Sequence, residues 1–208
     1  MNLKKTNNMV KKIVIFMTDR RYHINTINDA NNILSCEVIG CVTNKIDTYY
    51  YIKENYNIPL HFINWDKSNE SRDDYEMKIT KEIQYLKPNI LLLTGWKHIF
   101  NNNFIKSYQH IINIHPALPN SYIGLNCIEK AHNDFINNKI THTGLMIHYI
   151  TEELDRGEVL EYTTVPLYKE DNLNILTERF RIYEKNVIIK SLLKIINNNI
   201  NDLPSQMH

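Results

Sequence analysis

Glycine is scarce in this chain, 5 of 208 residues, and none falls in "TDRRYHIN" (18–25), the loop after the first apolar run. A dinucleotide fingerprint needs glycines there to bring backbone amides close to a pyrophosphate, so that function is excluded. No P-loop and no GxSxG segment occurs elsewhere. The three cysteines, Cys36, Cys41 and Cys127, form neither a CxxC pair nor an even-numbered framework, and read as thiols in a reducing compartment. Histidines are plentiful, among them His110, His115, His142 and His148, but they lack HExxH or Cys/His ligand spacing, so no metal is expected. Net charge is nearly absent as well. The 24 basic residues stand against 23 acidic ones, which gives no electrostatic case for nucleic acid. No apolar run approaches membrane-spanning length, and the opening "MNLKKTNNMVKK" has no apolar core of the signal-peptide kind. The expectation is a cytoplasmic protein without membrane or nucleic-acid partners, whose chemistry is run by side chains and backbone dipoles on small organic groups.

What is present suffices for one domain: 208 residues, 43% of them apolar. Residues 1–11 read as a flexible arm and 12–208 as a single catalytic domain. Short β-branched runs recur at "KIVIFMT" (12–18), "CEVIGCVT" (36–43), "IPLHFI" (58–63), "NILLLTG" (89–95) and "HIINIH" (110–115). Between them lie segments of helical spacing: 23–34, 48–57, a charged stretch 68–87 with a Ser to cap it and Pro88 to stop it, and a short 102–108. Strands alternating with helices in this way imply an α/β fold with a doubly wound, mostly parallel sheet. Ligands of such sheets bind beyond the carboxyl ends of the strands. Past residue 124 the pattern changes. A helix over 125–138 is followed by two extended segments, 141–150 and 157–167, joined by the polar turn "TEELDR". That is a hairpin signature, so antiparallel strands are expected in the C-terminal part. An amphipathic helix over 172–198 closes the domain.

The segment "NIHPALP" (113–119) places two hydrogen-bonding side chains where a buried strand ends, then stiffens the exit with Pro116 and Pro119. Asn113 and His115 share one face of an extended chain. An amide can donate to a carbonyl oxygen as it turns negative, and an imidazole can hold the same oxygen or move a proton. Taken singly, Asn113 also reads as a strand cap and His115 as a satisfied, partly buried histidine. Downstream, "HYITEELDRGE" (148–158) pairs a strand-end His148 with Asp155 in a turn. Asp155 could orient His115 or order a water, although Asp before Gly is also ordinary turn chemistry.

These residues carry a resemblance. "INIHPALPNSYIGLNCIEKAHNDF…THTGLMIHYITEELDRGEVLEYTTVPL" is similar to the folate-dependent formyltransferases, and among them most to those that act on glycinamide ribonucleotide. The resemblance runs over nearly the whole chain and implies a Rossmann-like formyltransferase fold. It implies that Asn113, His115 and Asp155 are catalytic. It also implies 10-formyltetrahydrofolate as co-substrate, with no metal, and formyl transfer to a primary amine. The folate would lie against "GWKHIF" and "ITEELD", that is Trp96, Lys97, His98, Ile99 and Phe100 with Ile150, Thr151, Glu152 and Leu154. By residue type alone Trp96, Ile99 and Phe100 read equally as core. The amine substrate would meet Arg20, Arg21, Pro116, Gly124, His148 and Glu184.

The chain departs from the family in its first loop, where a glycine-rich backbone would cradle the substrate's terminal phosphate. Arg20 and Arg21 can replace it by charge, or face solvent as a basic pair. Glu184, in "RIYEKN", matches the family glutamate that contacts the substrate's sugar, and also reads as an exposed helix residue. Two acceptors follow: glycinamide ribonucleotide, or an amino sugar carried on a nucleotide, such as a dTDP-4-amino-4,6-dideoxy sugar. The altered loop favours the second; the whole-chain resemblance and Glu184 favour the first. The protein is expected as a monomer or homodimer, and His142 as a surface histidine.

Overall fold

Residues 10–19, 22–29 and 31–201 are described by the computed structural model. In its first strand, β1 (Lys11–Met17), Ile13, Ile15 and Met17 enter one apolar cluster while Val14 and Phe16 enter another. Successive side chains of a strand point to opposite faces, so a strand apolar throughout must be covered on both. The same division recurs in β4 (Ile90–Thr94), where Ile90 and Leu92 go one way and Leu91 and Leu93 the other. Sheet and helices are thus stacked in layers, with two cores separated by the sheet.

The remaining strands are β2 (Cys36–Thr43), β3 (Leu60–Phe62), β5 (His110–His115), β6 (Thr143–Tyr149) and β7 (Val159–Val165). Their order across the seven-stranded sheet is β3-β2-β1-β4-β5-β6-β7. The pairs from β3 to β5 are parallel, and the two made by β6 are antiparallel. The mixed sheet expected from the sequence is therefore present. The helices are α1 (Tyr22–Asp29), α2 (Asn31–Leu34), α3 (Ile46–Asn55), α4 (Arg72–Ile83), α5 (Asn102–Lys106), α6 (Cys127–Ile136) and α7 (Leu173–Asn201). Residues of α1, α3, α6 and α7 fill the first core; those of α4 and α5 fill the second. Among the described residues no helix is long and apolar enough to cross a membrane.

Several boundaries differ from expectation. β1 begins at Lys11, whose N–H donates to the Ser35 carbonyl at 2.9 Å, so the pairing reaches one residue into the segment expected as an arm. Residues 1–9 of that arm lie outside the described residues. The helix expected over 23–34 is helical at Tyr22–Asp29 and at Asn31–Leu34, so it begins one residue earlier than expected. The charged helix starts at Arg72 rather than 68. Ser71 caps it by accepting the Asp74 N–H at 3.1 Å, and Asp73 and Asp74 occupy the first turn, where the helix dipole favours anions.

In α7, Leu176, Phe180, Val187, Ile188, Leu192, Ile195 and Ile196 recur at helical spacing and pack under β6 and β7. The start of this helix is clamped. Asp171 accepts a bidentate pair from Arg179, the longer bond 2.7 Å, and its carbonyl accepts from His132 Nε2 of α6 at 2.8 Å.

Candidate active site

β5 divides as β1 does. Ile112 and Ile114 face the first core and Ile111 the second, which puts Asn113 and His115 on the second side, beyond the end of the apolar packing. β6 runs antiparallel beside β5 in a register that sets Asn113 directly against His148. The carboxyl ends of β4 and β5 open there into a cavity of about 350 Å³, within the range of small-molecule sites. Leu93, Trp96, Ile99, Phe100, Ile150 and Leu154 give it an apolar wall; Asn113, His115, His148 and Asp155 gather on its polar side.

Each polar group is held in a definite orientation. His115 Nε2 donates to the Tyr122 carbonyl at 2.7 Å, which leaves Nδ1 facing Asp155 Oδ1 at 3.4 Å. Asp155 sits in the left-handed backbone region, φ 55°, in the turn between β6 and β7. Its other oxygen accepts the Gly124 N–H at 2.8 Å, so the carboxylate ties that turn to the loop after β5. Gly124 has φ 78°, a conformation that costs glycine nothing and other residues a good deal. Cys127, buried at the start of α6, donates its thiol to the Gly124 carbonyl at 3.0 Å. Burial pushes that thiol above its usual range, with Lys130 opposing and Asp155 adding to the shift. It packs against His115 as a neutral group.

His148 is 1% exposed. Its Nδ1 donates to the Tyr149 carbonyl at 2.9 Å, which makes Nε2 a bare acceptor. Asn113 Nδ2 lies 3.4 Å from that nitrogen, so the amide must turn its NH₂ toward His148. Burial depresses the His148 pKa; the bond to Tyr149 and the charge of Asp155 pull it up, and His115 pushes it down again. A neutral His148 therefore fixes which end of the Asn113 amide faces the cavity, and Nδ2 keeps a second hydrogen to offer there. Two donors and a carboxylate around one point can hold an oxygen that becomes negative and take up a proton beside it.

Of the residues singled out from the sequence, Trp96, Lys97, His98, Ile99, Phe100, Asn113, His115, Pro116, Gly124, His148, Ile150, Thr151, Leu154 and Asp155 line this cavity. Glu152 does not; the chain turns there, and Glu153 lines the wall instead. His98 has its ring turned onto Glu76 at 2.8 Å. His142 is exposed, on a separate groove. Arg20 and Arg21 lie outside the described residues.

Glu184 is not the exposed helix residue that its type suggested. It is 0% exposed and meets His23 Nε2 at 3.0 Å, while His23 Nδ1 meets Thr94 Oγ1 at 2.8 Å. It belongs to the interior beneath the end of β4 and is not part of the cavity wall. The sequence carried the signal: Glu184 falls four residues after Phe180 and four before Ile188, on the buried stripe of α7. Sequence reasoning also passed over Leu125 and Asn126, which line the cavity, and the Thr94–His23–Glu184 chain below it. Among the described residues no group of His, Cys, Asp or Glu gathers closely enough to hold a metal ion.

A family model described as "Formyl transferase" matches residues 11–192. Among curated proteins, the phosphoribosylglycinamide formyltransferase of Dictyostelium discoideum is 38% identical over 138 residues, 63% of this chain and 67% of that one. The protein of that name in Schizosaccharomyces pombe is 30% identical over 132 residues, 62% of this chain and 64% of its own. Among solved structures, phosphoribosylglycinamide formyltransferase from Bacillus halodurans superposes with a TM-score of 0.78 at 24% identity, covering 94% of this chain and 100% of that one. At that identity the superposition shows the fold alone.

Proposed function

The chain belongs to the formyl transferase family, and from that premise we propose that it transfers a formyl group from 10-formyltetrahydrofolate to the primary amine of glycinamide ribonucleotide, a step of purine synthesis. The observation that carries this reading is the meeting of Asn113, His115 and Asp155, from a strand end and a distant turn, around one cavity. The names of the curated relatives support the nucleotide amine over the amino sugar that the glycine-free first loop suggested. The apolar wall made by Trp96, Ile99, Phe100 and Leu154 suits a flat heteroaromatic ring, with the polar turn 151–155 to meet its edge.

The co-substrate supplies an activated formyl group; the chain supplies position and charge. As the neutral amine attacks the formyl carbon, Asn113 Nδ2, turned by His148, and Nδ1 of protonated His115 donate to the formyl oxygen. Asp155 Oδ1, beside that same Nδ1, balances the imidazolium. Through a water it accepts the proton that the amine gives up. A bond from carbon to the amine nitrogen forms and the bond to the folate nitrogen breaks. That leaving nitrogen regains the proton the amine lost, so no proton is released overall.

The test is formyl transfer, followed as tetrahydrofolate release, with glycinamide ribonucleotide and with a dTDP-linked amino sugar as competing acceptors. Turnover with the first is the expected result. No turnover with it, or turnover with the sugar alone, overturns the reading.

A further inference from the structure

Three side chains of the cavity's apolar wall, Trp96, Ile99 and Phe100, come from residues 95–101, which have no regular secondary structure and no ladder of their own. A segment of this kind is held by side chains or not held at all. Here carboxylates of the neighbouring helix do the holding, chiefly one that is buried. Glu76 of α4, 3% exposed, accepts from His98 Nε2 at 2.8 Å and from the Asn101 backbone N–H at 3.0 and 3.2 Å. Asn101 is fixed twice more, its Oδ1 accepting the Phe104 N–H at 2.8 Å and its Nδ2 donating to Asp73 at 2.6 Å. The His98 ring is boxed edge-on by Trp65, Tyr75 and Phe100, with centroids 5.0 to 5.1 Å away. Both ends of the 98–101 stretch are therefore pinned to the first two turns of α4.

We propose that Glu76 is a positioning residue for the folate-facing wall: by holding His98 and Asn101 it sets the path of 97–100, and with it the affinity for the folate. The proposal rests on the functional reading above and deepens it. His98 then serves through its back, turned from the ligand onto Glu76.

A role limited to stability accounts poorly for this arrangement. Burying a carboxylate is costly, and an apolar residue of similar volume commonly does as well or better for stability. The cost shows here: burial pushes Glu76 up to about 7, against the pull of the Asn101 N–H and of Arg72, with Asp73 adding a little. Burial likewise pushes His98 down to about 4, assisted by Arg72 and Lys67. What the polar pair provides and an apolar pair cannot is direction, since three hydrogen bonds fix where the wall runs.

The experiment compares Glu76→Leu, which keeps volume and loses the acceptor, with Glu76→Gln, which keeps an acceptor for Asn101. Leu at this position is expected to fold, raise KM for 10-formyltetrahydrofolate by roughly tenfold or more, the equivalent of one charge-assisted hydrogen bond, and leave the amine KM and saturated kcat within about twofold. Amide exchange at 97–101, read without ligand, should quicken in Glu76→Leu. The Gln variant should restore both readouts most of the way. A Glu76→Leu protein with the wild-type folate KM and unchanged exchange at 97–101 overturns the inference while the functional reading stands. So does one in which kcat and both KM values worsen together. Wild-type protein that neither binds tetrahydrofolate nor transfers a formyl group overturns the functional reading, and this inference with it.

Discussion

His115 and His148 stand edge to face across the cavity floor, their ring centroids 6.1 Å apart and their planes at 87°. Asp155 Oδ1 lies between them, 3.4 Å from His115 Nδ1 and 3.7 Å from His148 Nε2. One carboxylate oxygen thus faces two imidazoles whose other nitrogens are each committed to a backbone carbonyl. The two rings are not equivalent. His148 is bonded through Nδ1 and faces inward with an acceptor, whereas His115 is bonded through Nε2.

His148→Ala should remove the acceptor that orients Asn113 and lower kcat by about tenfold or more, less than the hundredfold typical of losing an oxyanion donor outright. His148→Gln, whose amide oxygen can accept from Asn113, should recover part of the loss. Its pH behaviour gives an independent reading. The folded pKa of His148 is depressed by burial. As pH falls below about 6.5 the unfolded chain therefore takes up a proton that the folded site resists, and stability declines down through the depressed value. Thermal denaturation from pH 7.5 to 5 should show a shallower acid decline for His148→Gln than for wild type. Parallel curves would contradict the assignment of a buried, neutral His148.

Asn113→Ala and Asp155→Asn should both fold and turn over roughly a hundredfold or more slowly. Asp155→Asn is the cleaner of the two. Asn tolerates the left-handed φ of 55°, and its oxygen can still accept the Gly124 N–H, so charge alone is removed. Near-native kcat in both purified variants would end the catalytic assignment.

The sequence showed most strands of this fold as short β-branched runs, and it showed the hairpin as two extended segments joined by a polar turn. Asn113, His115 and Asp155 were legible through short-range pattern and family resemblance. What escaped it was contact between residues distant in sequence. Glu76 read as one charge among many on an exposed helix face, yet it is buried against a loop 25 residues away. Glu184 was legible by period, but a carboxylate on a buried stripe is believable only once His23 is seen to meet it. The orientation of the Asn113 amide depends on a cross-strand register that no local pattern encodes.

The clamp at the entry of α7 should be an acid-labile support. Arg179 holds the Asp171 carboxyl below the usual carboxylate range, with the Tyr168 N–H and His132 assisting against burial. A depressed folded pKa gives stability that is present above the unfolded value and is lost as pH falls through the folded one. Asp171→Asn should cost about 3 kcal/mol at pH 7, as expected when one partner of a buried pair is removed. The gap from wild type should narrow below about pH 4 as the wild-type carboxyl is protonated. Urea denaturation of both proteins at pH 7 and pH 3 measures it; a gap independent of pH would show that the charge is not what counts.

Gly157 links stability to the orientation of the Asn113 amide. A Cβ built there would sit 1.7 Å from the Tyr149 carbonyl oxygen, a backbone atom that cannot swing aside. That oxygen is the acceptor that fixes the His148 tautomer, and the Tyr149 N–H is itself paired to the Glu158 carbonyl at 2.9 Å. Gly157→Ala must push the two strands apart where β6 and β7 already slip register, between Ile147 and His148. Overpacking of this kind costs roughly 1–3 kcal/mol, so the melting temperature should fall. Turnover should fall as well, because displacing the carbonyl frees the imidazole to rotate. If both effects act through His148, Gly157→Ala and His148→Ala disable one device, and their losses in kcat should combine to less than their product. A double variant whose kcat loss equals that product would mean that the glycine serves packing alone.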